Sequence, residues 1–230
     1  MIDHAHDLAS VRDATERLLS AVGKLDNASV TQPSRLPGWS RGHVLAHLAR
    51  NADALVNVLE GRPMYVSGEA RDTDIERDAP RALDVQLADL RESSARFQET
   101  GDAPADWSRT VELRNGVTDS ASRVPFRRWV EVELHHVDLG IGYELEDLPA
   151  EFTEREIDFL ADRFAGHPDV PVTRVTDGTR AWSTGRKPGG QGPEVTVTGP
   201  PADLLGWLAG RRDGSALASA GGPLPALPPL

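Results

Sequence analysis

The sequence predicts an α+β chain, with a four-helix bundle over residues 1–148 and a small α+β domain over residues 149–230. Three observations predict it. Apolar residues recur at helical spacing in four long segments of the first part, as they do in helices that bury one face against one another. Past Glu144-Leu145-Glu146-Asp147-Leu148-Pro149 the pattern changes to short β-rich runs between two helical segments. Two of the long helical segments carry histidine or glutamate four residues apart, and bundles commonly hold a metal between facing helices.

Taken in order, Leu8, Val11, Leu18, Leu19, Val22 and Leu25 mark an amphipathic first helix, which Asp26-Asn27-Ala28 and Gln32-Pro33-Ser34 break. His4 and His6 before it read as a frayed terminus. Leu36-Pro37-Gly38-Trp39-Ser40-Arg41-Gly42 is a turn and a helix start, capped at Trp39 or Ser40. The second helix runs to about Leu59 and ends at Gly61. Met64 to Ala79 reads as an irregular, charged connection, and a connection of that length is commonly functional. Pro80 suits the N-terminus of a third helix through Leu83, Leu87, Leu90 and Phe97. Trp107 to Val117, with Asn115-Gly116 at the turn, suggests a short hairpin. The fourth helix spans about Ser122 to Gly142. After residue 149 come a helix near Thr153–Phe164, strands at Val170–Val175 and Arg180–Thr184, and a turn at Lys187–Gly192. A strand at Glu194–Thr198 and a last helix from Ala202 to Leu208 follow. The Pro-rich end is expected to lie extended on the surface.

Composition removes several function classes. The formal charge of −11 disfavours nucleic acid, because phosphate binding needs a basic surface. It also means that an anionic small-molecule substrate needs locally placed arginines. No apolar run is long enough to span a membrane, and Met1 to Asp7 lacks the basic and apolar regions of a secretory signal, so a cytoplasmic protein is expected. The chain has no cysteine, which excludes disulfides, Cys-ligated zinc and a protein thiol nucleophile. Any thiol chemistry must bring its sulfur on a small molecule.

The stretch Arg128-Trp129-Val130-Glu131-Val132-Glu133-Leu134-His135-His136-Val137-Asp138-Leu139-Gly140 puts Glu131 and His135 on one helix face. A carboxylate and an imidazole so placed can grip a divalent metal, and a third ligand would complete a triad with an open position. The same spacing also serves surface salt bridges. His43 and His47 offer a second pair on the second helix, although His43, near the helix start, suits packing or capping better. His136 sits beside His135, which leaves the choice of imidazole open. Glu133 and His136 have the spacing of di-iron bundles, but the second such motif is missing. Asp138 could orient His135 from behind, or could be a cap or surface group. Trp39 and Trp129 read as core or helix-anchoring residues.

Several stretches together resemble the mycothiol-dependent maleylpyruvate isomerases. They are Gly38-Trp39-Ser40-Arg41 leading to His43 and Ala46-His47, then Pro63-Met64-Tyr65-Val66-Ser67 with Glu69-Ala70-Arg71. Glu131-Val132 with His135 and Val137-Asp138-Leu139-Gly140 follows, and Ala209-Gly210-Arg211 comes late. The resemblance implies a DinB-like four-helix bundle with a small C-terminal α+β domain, and zinc on His47, Glu131 and His135. It also implies important arginines at Arg71 and Arg211, the latter from the second domain, with an active site between the domains.

The implied reaction converts maleylpyruvate to fumarylpyruvate. Rotation about the carbon–carbon double bond requires that bond to become single, and conjugate addition of a thiolate does this. Mycothiol would supply the sulfur, and zinc would favour its thiolate form. The implied partners are a dianionic small molecule and a low-molecular-weight thiol, and a monomer is expected. Two other readings share much of this pattern: a mycothiol S-transferase acting on another electrophile, and a non-catalytic metal-binding bundle.

Overall fold

The structure, a computed structural model, describes residues 3–184 and 195–229. The expected turn at Lys187–Gly192 lies outside the described residues. The chain divides into two compact units, Met1–Tyr143 and Glu144–Leu230.

In the first unit the four long helices are α1 (His4–Val22), α3 (Arg41–Leu59), α5 (Leu83–Asp102) and α6 (Val124–Asp138). Their apolar stripes meet, α1 on α6 and α5, and α3 on α5 and α6. Leu18, Val44, Leu48, Leu90, Phe97 and Val132 fill the interior. The start of α1 corrects the expectation of a frayed terminus. Asp3 caps it by accepting from the Ala5 and His6 amides at 3.1 Å each, and His4 stacks on Trp107 with ring centroids 4.4 Å apart.

A second correction concerns Met64–Ala79, where residues Gly68–Asp78 form a helix, α4. Ser67 caps it through the Ala70 amide at 3.0 Å. Ile75 is the single apolar side chain it buries, so the stretch had no periodicity to read. A shorter helix, α2 (Asn27–Val30), fills what read as a break, capped by Asp26. Helix α5 begins three residues after Pro80 because a turn intervenes, in which the buried Gln86 amide donates to the Ala79 and Arg81 carbonyls at 2.8 and 3.1 Å. The hairpin forms as β1 (Thr110–Glu112) against β2 (Thr118–Ser120), with Asn115 and Gly116 at positive φ in its turn.

Two contacts pin the N-terminal end of α3 to the C-terminal end of α6. The Arg41 side chain donates to the Leu139 and Gly140 carbonyls at 2.9 and 3.1 Å, and the Arg35 amide donates to the Asp138 carbonyl at 2.7 Å. These bonds satisfy carbonyls that a helix end leaves open. They also set the facing surfaces of α3 and α6 in register. Gly42 lets α3 pass the backbone closely, since a Cβ there would overlap the Ala79 carbonyl oxygen.

The second unit pairs α7 (Ala150–Phe164) with α8 (Pro201–Leu208) and packs α7 on a four-stranded sheet of order β4-β3-β5-β6. Strand β3 (Thr173–Thr176) runs antiparallel to β4 (Ala181–Thr184) and parallel to β5 (Val195–Thr198). Strand β6 (Ala218–Ala220), which lacks any apolar alternation, adds to β5. The turn Leu145–Asp147 goes with this unit, because it packs on α8 and Arg212 bonds Glu146 at 2.7 and 2.8 Å. The Pro-rich tail has no regular structure and runs beside Trp207 and Leu208, burying Pro225. Among the described residues, no helix is long and apolar enough to cross a membrane.

Candidate metal centre

His47 projects from the second turn of α3 toward α6, where Glu131 and His135 stand one turn apart. The Glu131 Oε2 lies 2.9 Å from His47 Nε2 and 3.2 Å from His135 Nε2. The two imidazole rings meet edge to face at 4.6 Å. All three donor atoms fall within 4.8 Å of one another, so the group can hold one metal ion with N, O and N ligands. The donor set and its spacing fit such an ion.

The surroundings hold His47 and Glu131 in the forms a metal needs, and favour on His135 a proton that a metal would displace. Burial pushes the His47 imidazole down to about 4, against the pull of Glu131, which leaves it neutral at neutral pH. Burial also opposes charge on Glu131, but hydrogen bonds from both imidazoles outweigh it and hold the carboxylate well below its usual range. His135 is desolvated too, yet Asp138 and Glu131 win and raise its affinity for a proton. Asp138 is fully buried, with Oδ2 2.8 Å from His135 Nδ1. It therefore fixes the ring so that Nε2 faces Glu131. His43 lies outside the group. Its ring accepts from the Ser40 amide at 3.1 Å in a capping box, and its Nε2 lies 3.3 Å from Glu76. His136 is turned to the other side of α6 and stacks on Tyr143 at 4.1 Å.

Arg71, which α4 places and not an irregular loop, donates from Nη2 to His47 Nδ1 at 3.2 Å. A guanidinium has no acceptor, so Nδ1 accepts and the Nε2 proton points at Glu131. Nη1 of Arg71 reaches Asp72 at 2.6 Å, and its guanidinium lies 5.9 Å from the centre of the Tyr65 ring. Tyr65 also lines a cavity of about 530 Å³ with Met64, Ser67, Leu113 and Arg114. Trp39 is partly exposed and not core, and its ring lies 5.6 Å from that of His47. Trp129 is buried and donates to Glu133 at 3.1 Å. Arg211 belongs to the second unit, in the turn after α8, where its Nη1 donates to the Ala209 carbonyl at 2.7 Å. Sequence reasoning missed Tyr65 as a neighbour of Arg71, and it missed the buried Arg128. No local pattern marks either, because both owe their place to contacts between helices.

Residues 11–140 match a family described as the mycothiol maleylpyruvate isomerase N-terminal domain. Residues 147–229 match the C-terminal domain of the same family. Among solved structures, a mycothiol-dependent maleylpyruvate isomerase is 27% identical with a TM-score of 0.89. A histidine-to-alanine mutant described by the same enzyme name is 26% identical with a TM-score of 0.88. Each comparison covers 99% of this chain and 97% of the other. No curated protein matches the chain.

Proposed function

Because the chain belongs to the mycothiol-dependent maleylpyruvate isomerase family, we propose that it is a zinc-dependent cis–trans isomerase that turns maleylpyruvate into fumarylpyruvate. The observation that carries this reading is the His47–Glu131–His135 group with the Arg71 guanidinium bonded to its His47. His47, Glu131 and His135 would hold the zinc, which would supply Lewis acidity that keeps an added thiol as thiolate, the form whose conjugate addition and departure would make the double bond single and restore it.

The chain's own residues do the rest. Asp138 keeps the His135 ring aimed, and burial keeps His47 unprotonated. Arg71 offers two N–H donors in a plane, the geometry that grips one carboxylate of a dianion. Arg211 of the second unit is proposed as the other clamp. Both would stabilise negative charge that develops on the substrate as the bond order falls. The absence of cysteine supports an external sulfur. A cytoplasmic monomer acting on soluble metabolites completes the reading.

The deciding experiment incubates zinc-loaded protein with maleylpyruvate, with and without mycothiol, and follows fumarylpyruvate. Thiol-dependent turnover is expected. Conjugation of mycothiol to haloalkanes or epoxides, with maleylpyruvate untouched, would replace the isomerase by an S-transferase. No turnover and no thiol binding by metal-loaded protein would leave a non-catalytic metal-binding bundle.

A further inference from the structure

Arg128 has no exposed surface, and among the described residues it is the largest side chain buried so completely. It lies on α6 one turn before Glu131, so the two side chains are neighbours on one helix face. Its Nη1 donates to the Leu48 carbonyl at 2.9 Å and to Asn51 Oδ1 at 2.8 Å, and its Nη2 reaches Ser94 Oγ at 3.5 Å. Its Nε has no hydrogen-bond partner. No described carboxylate pairs with it, whereas Arg17, Arg50, Arg71 and Arg81 each lie against one. Burial pulls the guanidinium down to about 10, so it is still a cation at neutral pH, and the charge that most opposes that pull is Glu131. A buried cation without a paired carboxylate is costly, and a neutral side chain of similar size could tie α3, α5 and α6 together at lower cost. Bridging helices does not account for the charge.

We infer that Arg128 is a positioning residue for the metal centre, whose fixed positive charge biases the open coordination position toward an anionic sulfur ligand over a neutral one. This rests on the preceding reading only in that a thiol binds at the metal. When the thiol binds as thiolate, the S–H bond breaks, its proton goes to solvent and the sulfur keeps the electron pair. A nearby fixed cation favours that charged state. The same cation disfavours a divalent metal. Arg128 thus opposes metal binding and promotes thiolate binding, and a packing role predicts no such opposition of sign. The charged and titratable groups around it are Asp53, Tyr65 and Glu131, and those around the metal position are His47, His135, Arg71 and Asp138. None of these residues is itself replaced by a substitution at residue 128.

The test uses cobalt(II)-loaded protein with 2-mercaptoethanol and no substrate. The sulfur-to-cobalt charge-transfer band is followed against pH, and cobalt affinity is measured by chelator competition. In R128M and R128Q the midpoint of thiolate formation should rise by about one pH unit, roughly a tenfold loss at fixed pH, while cobalt affinity holds or increases. R128K should stay near the wild-type midpoint. An unmoved midpoint in cobalt-replete R128M and R128Q would overturn the inference, and so would a fall in cobalt affinity alone. Should neither variant fold, the wild type decides. Its midpoint must lie below that of the same thiol on a cobalt chelate with two imidazoles and one carboxylate in water, and a midpoint at or above that value overturns the inference. A wild-type protein showing no sulfur-to-cobalt band would overturn the thiol reading of the function itself, which distinguishes the two failures.

Discussion

His47 sits between a carboxylate and a guanidinium, and the two contacts lead to separate predictions. Toward Glu131 it completes the donor group, so metal analysis of His47→Ala, Glu131→Ala and His135→Ala should show loss of bound zinc. His136→Ala should keep its zinc, because that ring stacks on Tyr143. Full zinc content in all three alanine variants would remove the assignment. Asp138→Asn should weaken zinc binding by about 10- to 100-fold, since the buried carboxylate fixes the His135 ring. Toward Arg71, the contact is incompatible with a metal on neutral His47. Metal at Nε2 puts the ring hydrogen on Nδ1, which then has no use for a second donor. Loading should therefore release Arg71 toward the open position. Losing its charge-assisted grip on a carboxylate costs on the order of 1.5–3 kcal/mol. Arg71→Ala should accordingly lower kcat/KM by roughly tenfold to a few hundredfold with zinc retained. Arg71→Lys should restore part of it, keeping the charge without the fork. Unchanged kinetics in a zinc-replete Arg71→Ala variant would return this arginine to a surface role.

At the scale of elements, the site depends on where α3, α4 and α6 meet. Helix α4 is short of apolar anchors, so its first turn relies on Ser67, and a lost cap of this kind costs about 0.5–2 kcal/mol. In Ser67→Ala the α4 amides should exchange with solvent faster and KM should rise, while zinc content and thermal midpoint change little. Unaltered exchange in α4 would show that its packing on α3 suffices. Gly42 presents the opposite case, a rigid close approach in which the added methyl of Gly42→Ala has nowhere to go. That variant should lose about 1–3 kcal/mol of stability by chemical denaturation. The element-level reading was strong for α3, whose Ser40 cap and Gly61 end stand where the sequence put them. It failed at α4 because eleven residues with one buried apolar side chain carry no period.

For the whole molecule, a cysteine-free chain of net charge −11 would have to import the sulfur of the proposed reaction and concentrate cations where the proposed dianion binds. Dialysed, zinc-loaded protein should be inactive toward maleylpyruvate until a low-molecular-weight thiol is added. Turnover without thiol would contradict the mechanism directly. Arg211, on the second unit, is the proposed counterpart of Arg71, and loss of kcat/KM in Arg211→Ala with full zinc content is the matching expectation.

By itself the sequence determined the class of fold, the four long helices and two pairs of possible ligands four residues apart, His43 with His47 and Glu131 with His135. Those properties are local: apolar spacing, caps, glycines and i,i+4 pairs act within a few residues, so they can be read in line. It also held the choice between two adjacent histidines open, since both lie on α6 and only the partner helix selects a face. The tertiary structure decided that choice by bringing His47 of α3 to the side where His135 and Glu131 point. It likewise made a helix of the stretch bearing Arg71, brought the Trp39 ring to 5.6 Å from that of His47, and set Arg128 in the interior. Each of these depends on contacts between residues far apart in the chain, and no local periodicity encodes such contacts.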